Sequence, residues 1–150
     1  MAKRALVAGG SGFVGSHLCE LLLSKGYDVT AIDCFVTGRK ANIEKLLKNG
    51  LKLVEADISE PLSKELGQFD EIYNLASPAS PVDFKKMPVF ILRTSSHGHR
   101  NLLELAREQK AKILFASSSE SYGDAEVHPQ HEGYFGNVNP NGIRSVYDEA

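Results

Sequence analysis

The chain has 150 residues, 42% of them apolar, and a formal net charge of -2. That is enough apolar material for one domain with its own core, and too much for a disordered chain. Both signs of charge are scattered, so no nucleic-acid face or acidic tail is indicated, and no apolar run approaches a membrane span.

The start, MAKRALVAGGSGFVG, has a basic beginning and a short apolar run, but glycines at 9, 10, 12 and 15 break the apolar core a signal peptide needs. A cytoplasmic location is therefore expected. RALVAG (4–9) predicts a buried strand ending in glycine, and FVGSHLCELLLSKG (13–26) a helix stopped by Gly26. DVTAID (28–33) predicts a second strand, ANIEKLLKNG (41–50) a second helix closed by Gly50, and LKLVEAD (51–57) a third strand. A short helix is expected near 60–67, a fourth strand at EIYNLAS (71–77) and a long helix from Pro88 to Gln109. AKILFASSS (111–119) predicts the fifth strand; a loop rich in Gly, Pro, Asn and His (120–142) follows, with a new helix near Arg144. Cys19 and Cys34 lack metal-ligand spacing and read as reduced thiols.

Strands alternating with helices predict an α/β fold: a Rossmann-type, doubly wound parallel sheet covered on both faces. Five strands are visible where such domains commonly have six or more, so the sheet reads as truncated before its last strands.

The first turn carries chemistry. VAGGSGFVGSHL holds Gly10-x-Gly12-x-x-Gly15 and Gly9-x-x-Gly12-x-x-Gly15, between the first strand and the first helix. Glycines let the backbone approach a pyrophosphate closely, and the helix N-terminus offers free N–H groups and a positive dipole end. Asp33 ends the second strand, 18 residues after Gly15. Its carboxylate can accept from ribose hydroxyls and would repel a 2′-phosphate, which favours NAD over NADP, although Arg39 is near in sequence.

Parallel sheets place chemistry at the carboxyl ends of their strands. Ser117, Ser118, Ser119 and Glu120 lie there on the fifth strand, and Tyr147 follows Ser118 by 29 residues. A free phenol is a poor base at neutral pH, and a lysine at i+4 would face the same side and activate it. That position is 151, one past Ala150, so the chain alone is expected to bind NAD weakly and not to turn over.

The stretches GGSGFVGSHL, DCFVTGRKANI, NLASPASP, ASSSESYGDAEVHPQ and GNVNPNGIRSVYDEA resemble the extended short-chain dehydrogenase/reductases, the NAD-dependent nucleotide-sugar epimerases and dehydratases. The first and last stretches are shared across that superfamily; TGRK, LASPASP and YGDAEVHPQ are more specific, and are similar to the branch acting on UDP-glucuronate. The resemblance implies a protein about twice this long, with a C-terminal sugar-binding lobe outside this chain. It implies that Gly9, Gly12, Phe13, Val14 and Gly15 hold the pyrophosphate, and that Asp33, Thr37 and Gly38 hold the adenosine ribose and nearby groups. Asp57 and Ile58 would flank the adenine; Leu75, Ser77 and Thr94 would line the nicotinamide side with Ala116 behind it. Asn101 and Arg93 would reach the substrate's nucleotide sugar, and Ser118, Glu120 and Tyr147 would be the catalytic set.

The implied first step is oxidation at C4 of the sugar, Tyr147 taking the hydroxyl proton and Ser118 bonding the same oxygen. A 4,6-dehydratase then needs an acid to expel the C6 hydroxyl, usually from an Asp-Glu pair; here the pair is Ser119-Glu120. Decarboxylation of UDP-glucuronate to UDP-xylose needs no such acid, because a 4-keto sugar is itself the electron sink. The alternatives are a 4-epimerase or dehydratase of the same family, a non-catalytic NAD-binding fragment, and a redox-sensing regulator, which would lack the Ser/Tyr pair. Three positions depart from the family pattern: Ser95 and Cys34 stand where asparagine is usual, and His99 where threonine is usual. His97 and His99 do not share a helix face, so no metal is expected there. His17, His128 and His131 read as packed or surface residues. The resemblance implies that the long helix and the Tyr147 helix form a homodimer interface in the full-length protein.

Overall fold

A computed structural model of the chain describes residues 2–150. The first strand dictates the architecture. In β1 (Arg4–Ala8), Ala5 and Val7 face one side and Leu6 and Ala8 the other, all four without solvent exposure. A strand apolar on both faces must be covered on both.

Helix α1 (Phe13–Ser24) follows, then β2 (Asp28–Asp33), a 3₁₀ turn at Lys40–Asn42, α2 (Glu44–Lys48) and β3 (Lys52–Glu55). Next come a 3₁₀ turn at Lys64–Leu66, β4 (Glu71–Asn74), α3 (Pro81–Lys86) and α4 (Pro88–Arg93). A π-helical turn at Thr94–Gly98 leads into α5 (His99–Gln109), β5 (Lys112–Phe115), a 3₁₀ turn at Ser119–Tyr122, and α6 (Ser145–Asp148). All strand pairs are parallel, in the order β3-β2-β1-β4-β5. The order reverses at β1, which has β2 on one side and β4 on the other. One face of the sheet packs Ala5, Val7, Val29 and Ala31 against Cys19 and Leu22 of α1 and Leu46 of α2. The other packs Leu6, Ala8, Ile32 and Ile72 against Leu102 and Ala106 of α5. The doubly wound, Rossmann-type sheet predicted from the sequence is the observed one.

Several boundaries differ from the predicted ones. The third, fourth and fifth strands are shorter, because the parallel ladder ends at Asp33–Glu55 and Asn74–Phe115, after which the chain turns over the carboxyl edge. The helix expected at 41–50 breaks at Ile43, which leaves helical geometry (φ -115°, ψ 1°) to sink its side chain fully into the core. Only a 3₁₀ turn forms near 60–67, capped by Ser63 Oγ, which accepts from Glu65 N at 3.1 Å. The long helix runs as expected but contains the π turn, and α3 was not foreseen. The Cys19 thiol is buried in α1, and burial pushes its pKa up to about 12, so it packs as an inert apolar group. No helix among the described residues is long and apolar enough to cross a membrane.

Leu102 is fully buried, whereas its neighbour Leu103 is 44% exposed. Leu102→Ala should cost about 2–5 kcal/mol of unfolding free energy and Leu103→Ala less than about 1. Urea denaturation of both variants checks this, and equal losses would mean that the helix is rotated from the described register.

Candidate active site

The reversal of strand order opens a crevice at the carboxyl ends of β1 and β4, the usual place for a ligand in an open α/β sheet. Gly9, the residue after β1, has φ +75°; its N–H donates to Ile32 O at 2.9 Å and its carbonyl accepts from Gly12 N at 3.0 Å. A Cβ on Gly9 would lie 2.8 Å from Leu75 O, and one on Gly15 only 2.1 Å from Gly9 O. Neither position has room for a side chain, so the first turn of α1 rests directly on the β1 turn. Gly12 is the N-cap of α1, no side chain caps the helix, and its first turn holds no acidic residue. The first amides, those of Phe13, Val14 and Gly15, are thus left for an anion. The Phe13 and Val14 side chains point outward, 80% and 61% exposed, so only their backbone can take part.

Asp33 stands at the end of β2 with its carboxylate nearly buried. Its Oδ2 accepts from Ser11 N and its Oδ1 from Phe35 N, each at 2.9 Å. The sequence assigned this carboxylate to a ribose; the structure shows that it also ties the glycine turn to the loop after β2. Arg39 N and Asn42 Nδ2 both donate to Ser11 O, at 3.1 and 2.8 Å, which closes that loop over the turn. Sequence reading missed Asn42; its only sign was its place in the TGRKANI stretch.

Two cavities lie along this edge. The first is lined by Gly9, Gly12, Asp33, Thr37, Gly38, Asp57, Ile58, Leu75, Ser77 and Thr94, which brings together ten of the residues singled out in the sequence. Cys34 also lines it, and burial, with the Asp57 and Asp33 carboxylates, raises its thiol pKa, so it is no thiolate nucleophile. Thr94 is 4% exposed, and among the described residues its Oγ1 has no hydrogen-bond partner; nor has the buried Ser11 Oγ. The second cavity is lined by Leu75, Ser77, Ala116, Ser118 and Tyr147, with Asn74, Ser95 and Asp148. Residues 75–77 line both cavities and join them. Ser77 Oγ and Ser95 Oγ are 3.2 Å apart, and Ser118 Oγ accepts from Glu120 N at 3.2 Å. The Tyr147 ring stacks on the buried Phe84, centroids 4.9 Å apart and planes 20° from parallel.

Three predicted site residues are placed elsewhere. Glu120 turns its carboxylate to the Arg144 guanidinium and lines a separate hollow with Gly123, Asp124 and Asn137, not the cavity of Ser118 and Tyr147. Asn101 lines neither cavity: its Nδ2 donates to Ile58 O at 2.8 Å and Glu60 O at 3.0 Å. Arg93 pairs with Glu60 on the same loop. Both side chains are consumed in fastening residues 58–60, so they support Ile58 in the wall of the first cavity rather than open onto it. Phe84, Asn74 and Asp148 escaped the sequence reading, because only the fold brings them to this edge. No group of three or more His, Cys, Asp or Glu side chains placed to hold a metal occurs among the described residues.

The family model described as GDP-mannose 4,6 dehydratase matches residues 6–150. The chain belongs to this family. Within the GDP-mannose 4,6 dehydratase family it is 49% identical over 149 residues to UDP-glucuronic acid decarboxylase 1 of Danio rerio, covering 99% of this chain and 35% of that protein. It is 49% identical over 148 residues to UDP-glucuronic acid decarboxylase 1 of Arabidopsis thaliana, covering 98% and 33%. The chain thus spans about a third of the length of these curated relatives. Among solved structures, the UDP-N-acetylglucosamine 4-epimerase of Methanobrevibacter ruminantium, in complex with UDP-N-acetylmuramic acid, superposes with a TM-score of 0.83 at 26% identity, over 99% of this chain and 47% of that one. TunA, an NAD-dependent NDP-hexosamine 5,6-dehydratase, gives 0.79 at 29% identity, over 98% and 46%.

Replacing Asp33 by Ala orphans the buried Ser11 N–H and the Phe35 N–H. With no ligand present it should lower unfolding stability by about 2–3 kcal/mol, read from urea midpoints. Unchanged stability would mean that the carboxylate serves a bound molecule alone.

Proposed function

We propose that this chain is the NAD-binding portion of a nucleotide-sugar enzyme that decarboxylates UDP-glucuronate to UDP-xylose through a 4-keto intermediate. The observation that carries the reading is the junction at residues 75–77. It makes a cleft with a glycine turn and a carboxylate continuous with a cavity holding Ser118 and Tyr147. The 49% identity to UDP-glucuronic acid decarboxylases narrows the reaction, as does Ser119 standing where a dehydratase of this kind carries an acid.

The residues present fit the dinucleotide. The uncapped α1 amides suit a pyrophosphate. The Asp33 oxygens keep lone pairs for a ribose diol beyond those given to Ser11 and Phe35. The unpartnered Thr94 hydroxyl in the same cleft gains a partner. When bound there, NAD would supply the hydride acceptor for C4 and the hydride for its later reduction.

The chain's own groups handle the proton and the sugar. Tyr147 Oη takes the proton of the C4 hydroxyl, Ser118 Oγ bonds the same oxygen, and the Phe84 stack holds the Tyr147 ring against the cavity wall. With C4 a ketone, the C6 carboxylate is β to a carbonyl. The C5–C6 bond breaks, carbon dioxide leaves, its electron pair passes into the enolate at C4, and C5 is then protonated. Glu120, held by Arg144 in the neighbouring hollow, makes no direct contact in this cavity, and the proton for C5 comes from water. A sugar-binding lobe outside these residues, a cytoplasmic location and a homodimer belong to the same reading. The exposed Val82, Val89, Leu92 and Leu103 supply apolar surface for a second copy.

A protein of the relatives' full length containing this chain, given NAD and UDP-glucuronate labelled at C6, should release labelled carbon dioxide. Ser118→Ala and Tyr147→Phe should each lower kcat by about 100- to 10,000-fold. Interconversion of C4 epimers without carbon dioxide would replace the decarboxylase reading with an epimerase.

A further inference from the structure

Asn74, the last residue of β4, is 2% exposed and lines the second cavity. Its Oδ1 accepts from Ala76 N at 3.2 Å, inside the stretch both cavities share. Its Nδ2 lies 3.1 Å from His99 Nδ1, at the start of α5. These two contacts fix one another. A backbone N–H can only donate, so the amide must turn its oxygen to Ala76 and its NH₂ to His99. Nδ1 is then the acceptor, and the imidazole proton sits on Nε2. The ring also packs against Phe115 of β5, centroids 4.4 Å apart and planes tilted by 38°.

We propose that His99 is a positioning residue: its unprotonated Nδ1 locks the Asn74 amide, and through it the backbone at residues 75–77 that floors both cavities. The proposal rests on the dinucleotide reading for its functional consequence, but the lock itself is a property of the unliganded chain. A protonated Nδ1 would set N–H against NH₂. The amide must then flip and present its own NH₂ to the Ala76 N–H, so one buried bond is lost in either arrangement. Asn74 and Phe115, which meet the ring from β4 and β5, carry no charge, and on the ring's own helix Arg100 and Glu104 pair with each other at 3.0 Å. Burial, with no contribution from a charged neighbour, holds the His99 pKa below its ordinary value of 6.5. The sign follows. The neutral ring and its lock are complete above pH 6.5, and the stability they contribute is lost as pH falls through the lower folded-state pKa.

The test uses the unliganded chain and NAD. In ¹⁵N NMR at pH 8, His99 should show an unprotonated Nδ1, and the Ala76 amide should shift with His99 titration; His99→Gln identifies the His99 signals by their loss. NAD affinity of the wild type, measured by calorimetry, should fall, by up to about tenfold, as pH drops through the His99 pKa that the titration reads. His99→Gln, whose amide oxygen can accept from Asn74 without titrating, should hold its affinity across that range, and His99→Leu should bind about tenfold weaker at pH 8. A proton on Nδ1 at pH 8, an Ala76 amide indifferent to His99, or wild-type affinity in His99→Leu would each overturn the proposal. Coupling of Ala76 to His99 without any NAD binding would support the lock and defeat the dinucleotide reading instead.

Discussion

The carboxyl edge of the sheet depends on how closely two stretches of backbone approach at the Gly9 carbonyl. Gly12 N donates to that oxygen, and Gly15 passes so near that a single added carbon would sit 2.1 Å from it. This proximity seats the first turn of α1 on the end of β1 and leaves its amides uncovered. On its other flank Gly9 meets the Leu75 carbonyl with no room for a Cβ, so β1 and β4 stay tight where the strand order reverses. The crevice, its anion-ready rim and its floor are thus set by two backbone approaches at Gly9 that only glycine permits.

Around those contacts the buried polar groups form a short relay. Asp33 ties Ser11 to Phe35, Asn42 and Arg39 tie the following loop back to Ser11, and Asn74 ties the end of β4 to residue 76. Each bond satisfies a backbone group that the crevice would otherwise leave stranded. The same carboxylate therefore serves the resting fold and offers its remaining lone pairs to a ligand. In the proposed function, fold stability and ligand binding therefore meet at this residue.

Most of the scaffold was legible because it follows from patterns with a period. The five strands, the alternating helices and the glycine turn all come from local runs of residues, and their alternation indicated the doubly wound parallel sheet. What was missed lies where tertiary contact overrides the local pattern. Ile43 breaks its helix to reach the core. Asn101 and Arg93, placed at the sugar by resemblance, are spent on the carbonyls and carboxylate of residues 58 and 60. Glu120 is drawn to Arg144, 24 residues later, a pairing with no signature in local sequence. Phe84 under Tyr147, and His99 against Asn74, are likewise products of the fold alone.

The loosely wound turn at Thr94–Gly98 has a geometric consequence. A π turn is an α-helix carrying one residue more than its ladder needs, and each residue rotates the side chains before it by about 100° relative to those after. Around this turn Thr94 lines one cavity and Ser95 the other, while Ile91 upstream and Leu102 downstream stay in the core. The gain or loss of one residue here would rotate the groups over both cavities relative to the rest of α5.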